Sequence, residues 1–319
     1  MRSSSWRVVP PVIAVILGCS LVASCGASSG PAAVSAPDRR EGFPVTVLAA
    51  NGPVRIPARP GEIISLSPTG TEMLYAIGAG SQVKAVGQYS DYPARAPLTR
   101  LSEANPSIEA IAVRRPDLVL IDSEAATGLA RQLAAFRIPV LLLPAAARLT
   151  DVYAQLDELG RATGRLGQAE AEGRSIRSQI ARIAASVPKR TVPLTYYYEL
   201  TTDYYSVTSD TFVGRLLGLL GLKSVADAAR GAAAASGYPQ LSAELILKSN
   251  PDYIFLADTL CCQQSAHTVA ARSGWARLNA VKDGDVVGLN DDIASRWGPR
   301  IVDLLRTVAN ALSRSRAGQ

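Results

Sequence analysis

The chain has 319 residues, 48% hydrophobic and 19% charged, with a formal net charge of +6. That apolar content exceeds what a disordered chain carries, and the length suits about two domains. A single histidine, His267, excludes metal sites built from several imidazoles and leaves one residue around which any Ser-His-Asp arrangement would have to form. No Lys/Arg run is longer than two, without the basic stripe that a nucleic-acid binder concentrates, so no nucleic-acid partner is expected.

Residues 1–24 read as a signal peptide: Arg2 and Arg7 precede a stretch, residues 8–21, that contains no charge. Val22-Ala23-Ser24-Cys25 resembles the lipobox at which bacterial prolipoproteins are lipidated and cleaved, which points to Cys25 rather than Cys19. Residues 25–43, rich in Gly, Ala, Ser and Pro, suit a flexible tether. The expected location is therefore outside the cytoplasm, lipid-anchored to the outer face of the cell membrane. With Cys19 removed and Cys25 acylated, only Cys261-Cys262 remains, so no long-range disulfide can staple the fold. That pair is open to three readings: a vicinal disulfide, thiols able to touch a metal centre, or a merely structural pair.

Asn51-Gly52 between short apolar runs predicts a hairpin. Strands are expected at 63–66, 83–86, 118–121 and 140–143, with helices at 71–77, 108–114 and 128–136, an alternation that implies a parallel sheet covered on both faces. Residues 149–188 carry helix formers and no strand signal. Ala169, Ile176, Ile180 and Ile183 recur there at helical spacing, predicting a connector at least about 20 residues and 30 Å long. Alternation then resumes, with strands at 194–198, 253–256 and 286–289 and helices at 212–220, 243–248 and about 299–312. Domains are thus expected at 44–148 (N-terminal α/β lobe), 149–188 (connecting helical segment) and 189–319 (C-terminal α/β lobe). An internal echo supports related halves: Ser107-Ile-Glu109 before Pro116-Asp117 matches Ser242-Ala-Glu244 before Pro251-Asp252 in spacing.

Ligands of open α/β sheets sit beyond the carboxyl ends of the strands. The residues expected there include Tyr89, Asp122, Glu199 to Tyr205, Asp258 to Cys262, and Asn290 to Trp297. Aromatics with a few polar anchors suit a large, flat, partly polar molecule, with Tyr205, Arg296 and Trp297 among the candidates. Tyr196 to Tyr198 fit a strand and its core better than a site. Glu109 and Glu244 fall in first helical turns behind Ser N-caps, where the helix dipole alone favours them; alternatively they form a two-pronged docking surface for basic residues.

The run Leu66-Ser67-Pro68-Thr69-Gly70-Thr71-Glu72, then Tyr89-Ser90-Asp91-Tyr92-Pro93, then the two Ser-x-Glu units, resembles the substrate-binding lipoproteins of ABC importers for vitamin B12, haem and iron siderophores, above all the vitamin B12-binding members. The resemblance covers roughly residues 60–313. It implies two Rossmann-like lobes with mostly parallel sheets, bridged by a single long helix, with a ligand in the cleft and little hinge closure. It also implies no enzymatic activity and no cofactor; the cargo is a metal chelate such as cobalamin, a ferric siderophore or haem, and a monomer is expected to deliver it to an ABC permease. Tyr89, Tyr238, Asp292 and Arg296 match cleft residues of the family, and Glu109 and Glu244 match its two permease-docking glutamates. Glu103 and Asp122 stand where tryptophans are found in the B12 binders, which weakens corrin and leaves siderophores and haem as rivals.

The rival class is an exported serine hydrolase. Ser186-Val-Pro-Lys189 has Ser-x-x-Lys spacing and Ser209-Asp210-Thr211 suggests a second element, but Pro188 interrupts the first and no Lys-Thr-Gly follows.

Overall fold

The computed structural model describes residues 42–123, 127–231 and 235–314. The expected signal segment, the expected lipidation residue Cys25 and nearly all of the expected 25–43 tether lie outside the described residues. The hairpin at Asn51-Gly52 is present: β1 (Val45–Ala49) pairs antiparallel with β2 (Gly52–Ile56), Ala49 opposite Gly52. Gly52 takes φ +98°, a conformation L side chains rarely adopt. The Asn51 side chain ties this hairpin to the sheet edge, donating to Val140 O (2.9 Å) and accepting from Leu142 N (3.1 Å).

The chain then winds through β3 (Ile63–Leu66), α1 (Pro68–Ala76), β4 (Val83–Gly87), β5 (Leu98–Leu101), α2 (Ile108–Ala112), β6 (Leu118–Ile121), α3 (Thr127–Ala134) and β7 (Val140–Leu142). These strands form one parallel sheet in the order β5-β4-β3-β6-β7. The apolar runs read as strands because both faces are covered, so every position can be apolar. In β6, Leu118 and Leu120 join one core while Val119 and Ile121 join another.

Two helices follow where one connector was expected. α4 (Leu149–Thr163) ends at Gly164, a left-handed C-cap at φ +67°, and α5 (Leu166–Ser186) runs for 21 residues, about 30 Å. The break escapes a reading of helix formers because Gly160, Gly164 and Gly167 lie close together and only Gly164 turns left-handed. A Cβ on Gly160 would stand 2.6 Å from the Ala169 Cβ, so the two helices meet too closely there for any side chain.

The second half contains β8 (Leu194–Glu199), α6 (Phe212–Gly218), β9 (Leu222–Ser224), α7 (Ala243–Ser249), β10 (Tyr253–Leu256), α8 (Ala266–Ala270), α9 (Asn279–Lys282), β11 (Val286–Gly288), α10 (Asp291–Ser295) and α11 (Ile301–Arg314). Its parallel sheet has the order β11-β10-β8-β9. Tyr196, Tyr197 and Tyr198 are wholly buried in β8, as the core reading expected. The internal echo has a structural meaning: Asp117 Oδ2 accepts from Gly61 N and Glu62 N beside the start of β3, and Asp252 Oδ2 accepts from Thr195 N in β8.

The outer face of each sheet has its own apolar cluster. A third and larger cluster runs from Val47, Ile56 and Leu120 through Leu156 of α4, Ile176 of α5 and Leu305 of α11 to Tyr198 and Phe255. The lobes keep separate sheets but share this helical seam. A large apolar seam restrains relative domain motion.

Candidate binding cleft

The strand order of the N-terminal sheet reverses between β3 and β6, a topological switch point where such sheets bind ligands. The local sequence shapes that point. Ser67 caps α1, its Oγ accepting from Gly70 N at 2.9 Å, and Pro68 occupies the first helical turn, where a missing N–H costs nothing. Asp122 follows β6, and Gln88 and Tyr89 follow β4.

A cavity of about 360 Å³ opens at this edge. Tyr89 and Asp122 line it from the N-terminal lobe, and Asp292, Arg296 and Trp297 line it from the C-terminal lobe, so five of the seven expected ligand residues meet here. The Tyr89 side chain is exposed. Its backbone N–H donates to Glu103 Oε1 at 2.9 Å, which makes Glu103 a brace for the loop. Burial raises the pKa of Asp122, opposed by a hydrogen bond from Ser67. Trp297 is fixed by its indole N–H, which donates to Gln155 Oε1 of α4 at 2.9 Å.

Arg296 does more than line the wall. Its Nη2 donates to Asp292 Oδ1 (2.7 Å) and the Tyr89 carbonyl (2.9 Å), and its Nη1 donates to Glu72 Oε1 (3.1 Å). Arg300 grips the same carboxylate through Nε (3.0 Å) and Nη2, with its guanidinium 4.0 Å over the Tyr92 ring. Glu72, only 3% exposed, is therefore an interlobe clamp holding two guanidiniums. A sequence reading misses it because Glu72 sits 224 and 228 residues from its partners. The one local hint is that Glu72 lies a helical turn from Thr69 and next to Met73 on a buried face of α1.

Two expected ligand residues are elsewhere. Tyr238 lines a second interlobe cavity of about 550 Å³, between Ala145 to Ala147 and the Thr208 to Phe212 turn. Tyr205 borders neither; its backbone bridges to Gln240 and its carbonyl accepts from Leu200 N at 2.9 Å. Glu199 and Asp258, expected at the cleft rim, are instead fully buried.

Glu109 and Glu244 occupy equivalent exposed places. Ser107 Oγ accepts from Ala110 N and Ser242 Oγ accepts from Leu245 N, so both serines are N-caps. Hydrogen bonds from each glutamate's own backbone N–H and then from the capping serine lower both pKa values. Cys261 and Cys262 are joined by a disulfide in the loop after β10. Asp291 pins that loop, accepting from Thr259 N, Leu260 N and Cys261 N at 2.8–2.9 Å.

The two serines of the hydrolase reading are engaged locally: Ser186 Oγ donates to its own helix at Ile183 O, and Ser209 Oγ donates to Asp227. Among the described residues no helix is long and apolar enough to cross a membrane, and no group of three or more His, Cys, Asp or Glu could hold a metal ion.

Two parallel-sheet lobes, sharing a helical seam and meeting over a hollow at a switch point, define a binding protein of the cleft type. The chain belongs to the periplasmic binding protein family, whose model matches residues 63–293. The uncharacterized ABC transporter substrate-binding lipoprotein YvrC of Bacillus subtilis is 29% identical over 308 residues, covering 94% of this chain and 95% of its own. The cobalamin-binding protein of Halobacterium salinarum is 30% identical over 312 residues, covering 94% of this chain and 83% of its own. The crystal structure of the periplasmic vitamin B12 binding protein BtuF of Vibrio cholerae matches at TM-score 0.65 and 25% identity, over 81% of this chain and 98% of that one. The family consists of binding proteins, not enzymes.

Proposed function

We propose that this chain is the extracytoplasmic, lipid-anchored substrate-binding protein of an ABC importer, and that it captures a metal chelate in the interlobe cleft, a corrinoid before a ferric siderophore or haem. The observation that carries this reading is the cavity where Tyr89 and Asp122 face Asp292, Arg296 and Trp297 across the two lobes. Charge supports the order of preference. Arg296 already engages both Nη atoms with Glu72, Asp292 and the Tyr89 carbonyl, while Asp91, Asp122 and Asp292 line the same hollow. Such a wall accepts hydrogen bonds, matching the amide-bearing rim of a corrinoid and repelling carboxylate- or catecholate-bearing chelates. The relatives named for cobalamin and vitamin B12 point the same way.

Capture and delivery involve no covalent step. Glu109 and Glu244 have pKa values lowered by their backbone and serine hydrogen bonds, and being exposed on both lobes they suit two basic sites of a permease. Cys25 would carry the anchor. The test is a thermal-shift screen of the folded protein with cyanocobalamin, haem and a ferric hydroxamate. A ligand at 100 times its dissociation constant stabilises by about 2.7 kcal/mol, which here means a rise of about 5 °C. The expected result is a rise with cyanocobalamin; no rise with any of the three would sink the reading. In cells, Glu109→Ala combined with Glu244→Ala should abolish uptake and leave ligand affinity intact.

A further inference from the structure

The opposite edge of the N-terminal sheet carries a feature that ligand capture does not use. A cavity of about 600 Å³ lies where the chain enters β3, β6 and β7, and Arg59, Arg115 and Arg137 line it. Among the described residues the guanidiniums of Arg115 and Arg137 make no ion pair or hydrogen bond, and Arg59 spends only its Nε, on Thr163 O at 3.1 Å. The carboxylate in the lining, Asp117, has its Oδ2 occupied by two backbone N–H groups. Arg115 and Arg137 stand at φ 46° and 59°, left-handed positions ending α2 and α3 where Gly or Asn is favoured. Beside them Phe136 and Val113 are 58% and 74% exposed.

We propose that this arginine edge is a bilayer-contact surface, on which the undocked protein rests against anionic phospholipid headgroups. Unpaired guanidiniums match phosphates, and Phe136 and Val113 supply apolar side chains for the headgroup layer. The covalent path to the bilayer also ends here. Phe43, the second described residue, packs on Gly164 together with Arg59. Cys25 lies about 18 residues earlier, a reach of at most about 65 Å. The surface works without that anchor and without any particular ligand.

Geometry gives the contact a purpose. The cavity sits at the amino ends of the strands, whereas the cleft and Glu109 lie toward their carboxyl ends. Resting on the arginine edge therefore turns the cleft mouth toward the medium, and docking through the glutamates requires letting go. The contact must be weak, and three arginines at about fivefold each make it so.

The test uses residues 39–319, which form one compact unit holding both lobes and every core cluster. Co-sedimentation is measured with vesicles of phosphatidylcholine alone and of phosphatidylcholine mixed with phosphatidylglycerol. Binding should occur only on the mixed vesicles and vanish at high salt. Arg115→Asn plus Arg137→Asn keeps residues at ease at positive φ and should weaken binding about 25-fold with an unchanged melting temperature. Equal partition onto both vesicle types, or undiminished binding by the double variant, overturns the proposal. So does displacement by inorganic phosphate at matched ionic strength, which would make the cavity a site for small soluble anions.

Discussion

Each sheet has one switch point, and the two have been put to opposite uses. In the N-terminal lobe the gap between β3 and β6 opens onto the cleft, with Asp122 and Tyr89 at its wall. In the C-terminal lobe the gap between β8 and β10 is plugged. Arg272 forks the fully buried Glu199 through both Nη atoms, at 2.6 and 2.5 Å, and Nη2 also donates to Gln264 Oε1 at 2.7 Å. Its guanidinium lies 4.7 Å from the Trp275 ring, which stacks on Tyr204. Topology offers two switch points; side-chain ionics leave a hollow at one and fill the other. Among the described residues, the closed lobe lines the cavity at the open switch point through α10 and the turn after it.

The plug is the place to break this asymmetry. Arg272→Ala leaves Glu199 and Asp258 buried without a cation and should cost about 4 kcal/mol in urea denaturation. Ligand affinity of the protein that remains folded should stay unchanged, because Arg272 is not among the residues lining the cavity. The open side has its own ionic device. Glu72→Ala strands Arg300, whose side chain is 14% exposed, leaves Arg296 with Asp292 and Asp91 as its carboxylate partners, and should cost about 3 kcal/mol. Arg300→Ala should cost less, about 2 kcal/mol, since Glu72 keeps Arg296. Unlike the plug, the clamp should also weaken ligand binding, because Arg296 forms part of the cavity wall.

What the amino-acid order reveals follows the range of the interactions. Runs such as Leu118 to Ile121 are legible as strands because burial on both faces makes every residue apolar, and Ser107 and Ser242 are legible as caps because capping acts over three residues. The five cavity residues were within reach because the carboxyl ends of strands can be inferred from alternation, whereas the strand order that makes the switch point cannot. Short edge strands escaped: β5 presents one buried residue in four and pairs irregularly. The plug and the clamp escaped for a different reason. Glu199 and Arg272 are 73 residues apart, and no periodicity joins them. Tyr238 was expected with the other cleft residues and lines a different hollow, bordered by the Thr208 to Phe212 turn, whose path the sequence pattern does not show.

Asp258 sharpens the contrast through pH. Burial first, then the Glu199 charge, push its pKa to about 7, while Arg272 opposes the shift; neither carboxyl oxygen accepts a hydrogen bond. A carboxyl whose folded pKa is raised binds a proton in the native state that the unfolded chain has released. Stability is then greatest below about pH 4 for this group and falls as pH rises toward 7, on the order of 4 kcal/mol in all. Asp258→Asn should flatten that slope in denaturation midpoints taken across the range. An unchanged slope would mean that Asp258 is ionised in the folded protein throughout.

The smallest effect belongs to the feature that looks most constraining. A disulfide stabilises by closing a loop in the unfolded chain, and a bridge between neighbours closes almost none, so Cys261→Ser plus Cys262→Ser should cost under about 1 kcal/mol. Asp291 is the stronger fastener of this loop. It accepts from three backbone N–H groups and the Thr259 hydroxyl, and Asp291→Ala should cost about 2 kcal/mol. Denaturation with and without dithiothreitol, alongside thiol labelling to confirm reduction, compares the two directly. If reduction cost more than Asp291→Ala, the sulfur bridge and not the carboxylate would be what holds the rim of the closed lobe next to Asp292 and the cleft.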